Sequence, residues 1–192
     1  MVPGMKLFDM ARLTAFSLVV SACAGATIVT NVSYEKGGLR DTFFYVASDR
    51  DFLIELHGNP SGKPQAVFDE SVIAAMQGSS FGPLTNFTTT PSANTSESYR
   101  LVVVFSGDRY SGATAICRDV DSASLKPVAG RVEIQAAFCY RDETLSQLNV
   151  AYPQGSPALG DAMSQVFINL FPHFDPASDD LRRDDQEIIL FP

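Results

Sequence analysis

The sequence predicts an α+β fold, an antiparallel sheet of about five strands with two helices packed on one face, in the order β-α-β-β-β-β-α. Two segments repeat their apolar residues at helical spacing, around 68–76 and over 159–170, while the stretches between them alternate or run apolar as strands do. The chain has 192 residues, 45% of them hydrophobic and 19% charged, enough apolar matter for one ordinary core. A closed β-barrel is disfavoured, because two helices leave too few strands to close one.

The elements follow in order. Residues 24–42, with Gly25, Asn31, Gly37 and Gly38, read as a tether, although Thr27-Ile28-Val29-Thr30 has the composition of an edge strand. The domain is expected to begin near Thr42, with a short apolar stretch to Ala47. Phe52, Ile54 and Leu56 alternate with Leu53, Glu55 and His57, the pattern of a half-buried strand that ends at Gly58-Asn59-Pro60. Phe68, Val72, Ala75 and Met76 then share a helical face, with Pro64 or Asp69 as alternative starts and Gly78 as the stop. Residues 79–97, rich in Ser, Thr, Asn, Gly and Pro, read as a long loop.

Four strands are expected next. Leu101-Val102-Val103-Val104-Phe105 is apolar on both faces and reads as a central strand. The segments 112–120 and 131–141 follow, and Leu148, Val150 and Tyr152 form the last strand, which Pro153 ends. Ser156-Pro157 is an N-cap and first-turn signal, and Leu159, Ala162, Met163, Val166, Phe167 and Leu170 make the clearest amphipathic helix in the chain. The tail 175–192 is acidic and expected to be solvated, but closes on the apolar run Ile188-Ile189-Leu190-Phe191, suited to docking as a strand or to binding a partner.

The first 22 residues have the layout of a secretory signal: Lys6 and Arg12 make a positive n-region ahead of the apolar run Leu13–Val20. That run ends in Val20-Ser21-Ala22-Cys23, which resembles the lipobox of bacterial lipoprotein precursors. The resemblance covers the leader, about an eighth of the chain, and implies cleavage before Cys23, diacylglycerol on its thiol and acylation of the new N-terminus, the alternative being an ordinary secretory signal cut after Ala24 or Ala26. Several acyl chains hold a protein on a bilayer far more firmly than the marginal binding that one gives. It further implies a lipid-anchored protein of the bacterial envelope, and Ala24 resembles the outer-membrane sorting signal of enteric bacteria, with the domain facing the periplasm. The expected organisation is a signal peptide at 1–22, lipidated Cys23 and tether at 23–41, one α+β domain at 42–174 and the tail at 175–192.

The other two cysteines agree with an oxidising compartment. With Cys23 committed to lipid, Cys117 and Cys139 form an even pair, expected as a disulfide between neighbouring antiparallel strands. Two separate buried thiols are the alternative. Without residues 1–22 the chain carries 12 basic and 21 acidic residues, a net charge of −9, so anionic lipid headgroups should repel it and its contact with the membrane falls to the lipid. The same charge speaks against a nucleic-acid partner.

Catalytic signatures are sparse. Ser106 follows a strong strand in Phe105-Ser106-Gly107-Asp108, but Val104 replaces the glycine a nucleophile elbow requires. A hydrolase would need His57 or His173 near Ser106, with Asp49, Asp51 or Asp108 as carboxylate. No P-loop, dinucleotide fingerprint, HExxH, CxxC or EF-hand loop occurs, so no catalytic residue, cofactor or metal is assigned. The favoured expectation is a non-catalytic accessory subunit that binds an envelope protein. The alternative is a carrier holding a small apolar ligand between helices and sheet with Phe68, Met76, Met163 and Phe167, and a hydrolase comes third.

Overall fold

A computed structural model describes residues 26–80, 82, 84–105, 114–120, 129–154 and 158–173. The elements are β1 (Ile28–Tyr34), α1 (Leu39–Ala47), β2 (Arg50–His57), α2 (Gln65–Met76), β3 (Thr85–Thr88), β4 (Tyr99–Phe105), α3 (Thr114–Arg118), β5 (Arg131–Tyr140), β6 (Glu143–Pro153) and α4 (Leu159–Leu170). The strands form one sheet in the order β1-β6-β5-β4-β2-β3.

The α+β class holds, but the sheet is mixed and has six strands. β1, β6, β5 and β4 are antiparallel neighbours, whereas β2 runs parallel to both β4 and β3. The parallel half follows from β3, four residues inside the stretch expected to be loop. β2-α2-β3 is a crossover unit, and a strand that returns beside its predecessor through a helix must run parallel to it. At the other edge, β1 pairs with β6, so the stretch read as tether or edge strand is an edge strand that continues to Tyr34. Its ladder slips between Thr30 and Ser33, where Asn31 takes φ 54°, a bulge of the kind that blunts an edge strand.

Alternation divides the sheet into two unequal faces. Leu101, Val103 and Phe105 of β4, Ile134, Ala136 and Phe138 of β5, and Leu148 and Val150 of β6 turn to one side. Three helices cover them rather than two: α1 contributes Leu39, Phe43, Val46 and Ala47, α2 Phe68, Val72 and Met76, and α4 Ala162, Met163, Val166, Phe167 and Leu170. Aromatic rings fill the centre, with the Phe43 centroid 5.3 Å from Phe52 and 4.5 Å from Phe171, and Phe87 4.8 Å from Phe167. α1 occupies the segment read only as a short apolar stretch. Its buried residues recur at helical intervals, but the run Phe43-Phe44-Tyr45-Val46 also suits a strand, and Gly38 supplies no side-chain cap.

The opposite face carries a second, small cluster of Val102, Val104, Ile116, Cys117, Ala137 and Cys139. Of the segment expected to be a strand at 112–120, the described residues 114–120 hold the short helix α3 and its exit. Five residues are too few to show a helical period, and Thr, Ile and Cys mimic strand composition.

Candidate functional site

The second face holds a concavity of about 580 Å³, floored by the strand whose alternation was legible in sequence. Leu53, Glu55 and His57 of β2 and Arg100 of β4 line it from the sheet, Ile116 to Val120 from α3 and its exit, and Asp69 from α2. Leu53, Glu55 and His57 are half-buried, as expected on the less apolar side of β2.

Arg100 organises this face. Its Nε lies 3.0 Å from Glu55 Oε1, a charge contact that is not aligned as a hydrogen bond. Nη1 donates to the Arg141 carbonyl at 2.7 Å and Nη2 to the Cys117 carbonyl at 2.6 Å. The guanidinium thus joins β2, the β5–β6 turn and the carboxyl end of α3, where a cation complements the helix dipole. Sequence reasoning missed Arg100, and its one signal was a charged residue placed immediately before the apolar run of β4.

Cys117 and Cys139 form a disulfide, with Cα atoms 5.7 Å apart and 22 positions apart in sequence. The pairing expected from sequence is therefore present, although Cys117 reaches Cys139 from a helix and not from a neighbouring strand. Cys139 stands opposite Arg100 in the β4–β5 register. α3 is consequently held twice at one residue, by the Cys117 sulfur to β5 and by its carbonyl to β4.

Of the residues considered for hydrolysis, the described ones fall at three separate places. His57 lines the concavity at the end of β2, whereas His173 follows α4 and its Nδ1 lies 2.9 Å from Arg40 Nη1 on α1. Asp51 accepts from Asn86 Nδ2 at 2.7 Å and from the Ser92 amide at 2.9 Å, and these bonds hold its carboxyl below the usual range. It lines, with Asp49, a separate hollow of about 360 Å³ beside β3. Ser106, Asp108, Cys23 and the tail 175–192 lie outside the described residues. Among the described residues, no group of three or more His, Cys, Asp or Glu side chains could hold a metal ion, and no helix is long and apolar enough to cross a membrane.

Of the residues considered for ligand carriage, Met76, Met163 and Phe167 are fully enclosed in the core. Phe68 reaches a third cavity, of about 410 Å³, where the amino-terminal ends of α2 and α4 meet Val132 and Tyr152. Burial there pushes the Tyr152 phenol up to about 12. Comparison of the chain with models of known protein families and with characterised proteins finds no match.

Proposed function

We propose that the protein is a lipid-anchored lipoprotein of the bacterial envelope, facing the periplasm from the outer membrane, whose domain serves as a non-catalytic accessory subunit for another envelope protein. The observation that carries this reading is the fate of the three cysteines. Cys117 and Cys139 are joined to one another, as an oxidising compartment favours, which leaves Cys23 of the Val20-Ser21-Ala22-Cys23 motif for lipid. On the second face Arg100 is engaged by Glu55 and two main-chain carbonyls, which gives it a structural role in the concavity that Arg118 also lines.

The test is purification of the full chain from its own envelope in mild detergent, with cross-linking and mass spectrometry. The expected result is a Cys23 peptide carrying thioether and amide-linked acyl chains, and a stoichiometric protein partner. A Cys23→Ser chain that is correctly processed and stays on the membrane overturns the anchor, and a lipidated chain recovered alone overturns the partner. A second reading, carriage of a small apolar molecule, is favoured by the cavity beside Phe68 and Tyr152, and a bound small molecule released from the lone chain would select it.

A further inference from the structure

β2 is eight residues long, and β3 accompanies only half of it. Arg50–Leu53 pair with Thr85–Thr88, whereas Ile54–His57 pair with Leu101–Val104 of β4 and, among the described residues, with no strand on the other side. In a parallel ladder alternate residues direct their N–H and C=O groups to opposite sides, so this half-strand presents main-chain donors and acceptors along an open edge. One chemistry matches such a row, an extended polypeptide. The concavity of about 580 Å³ opens along the same four residues, giving an added strand's side chains room beside Leu53, His57, Ile116 and Val120.

We propose that the chain's own C-terminal segment, Ile188-Ile189-Leu190-Phe191, adds as a strand along Ile54–His57 and extends the row begun by β3. The segment has four residues for four positions, and its branched and aromatic side chains are those that strands favour. Residues 174–187 connect it to His173, and 14 residues can extend up to roughly 50 Å. That exceeds the breadth of a domain of this size, whose radius of gyration is about 15 Å. Covalent attachment supplies an effective concentration near millimolar, which favours the chain's own segment over that of a second copy.

This inference does not rest on the lipid anchor, and its test is read from the domain itself. Hydrogen exchange is followed in the purified full chain and in its Ile189→Pro and Ile189→Val variants. Proline removes a main-chain donor from the added strand without touching the domain, whereas valine retains the strand. The outward amides of Ile54–His57 should exchange at least about tenfold faster in Ile189→Pro, with β5 unchanged and Ile189→Val like the natural chain. Equal exchange in the natural and Ile189→Pro chains overturns the assignment. A photoreactive benzoyl-phenylalanine placed at position 191 provides the second readout. Cross-links within one chain to β2, α2 or α3 support the proposal, whereas links to a second copy, to another protein or to a distant part of the domain overturn it.

Discussion

Arg100 shows how one side chain can hold a face that has little apolar matter. Its side chain is 19% exposed against 34% for Glu55, and its hydrogen bond to the Cys117 carbonyl is partly buried while that to the Arg141 carbonyl is exposed. Hydrogen bonds from a charged group contribute about 1.5–3 kcal/mol each, whereas half-exposed ion pairs contribute about 0–1 kcal/mol. Arg100→Ala is therefore expected to lower stability by roughly 2–4 kcal/mol, and Glu55→Gln by less than about 1 kcal/mol. Urea midpoints at neutral pH decide this, and equal losses would place the energy in the ion pair instead of the carbonyls.

At the scale of elements, the disulfide decides whether α3 belongs to the domain. Among the described residues α3 is five residues long, and only Ile116 and Cys117 of it enter the small second cluster. A helix that short has almost no intrinsic stability. Closing a separation of 22 residues stabilises by about 3 kcal/mol in the chain-entropy account. Cys117→Ser and Cys139→Ser should each lower stability by that amount, and the double variant by no more than either, as measured by denaturant unfolding. Additive losses would mean two independent thiols. Legibility followed element length and burial. α4 was readable over its full range because five of its residues enter the core at helical intervals, and β4 because both its faces are covered. β3 was not, since Thr85-Asn86-Phe87-Thr88 is largely polar and only Phe87 reaches the core, and without β3 nothing in the sequence indicated parallel pairing. The disulfide was legible from cysteine parity while the helix carrying it was not. The floor of the concavity was visible in the alternation of β2, but Arg100 was not, because its role depends on carbonyls 17 and 41 positions away.

For the whole molecule, the proposed anchor and the sheet together fix an orientation. Four residues separate Cys23 from Ile28, so the first residue of β1 lies within roughly 17 Å along the chain of the cysteine proposed to carry the lipid. Ile28 stands opposite Ala151, near the end of β6 where Pro153 faces Arg131 at the start of β5. The turn after Tyr140 lies at the other end of the same hairpin, about 30 Å away at the usual rise per residue. On the proposed anchor, so short a connection on a chain of net negative charge would hold the 28–30 and 151–154 end of the sheet towards the bilayer and leave Arg141 and Asp142 facing away from it. A photoactivatable lipid in reconstituted vesicles should label residues near Ile28, Arg131 and Gln154 and spare the 141–142 turn. Inserting about 20 Gly/Ser residues after Ala24 should even out the labelling without releasing the protein, because the acyl chains remain while the geometric restraint is relaxed. Uniform labelling of the natural chain would show that the short connection does not orient the domain. Loss of the extended chain from the membrane would show that the domain, and not the lipid, is what holds it there.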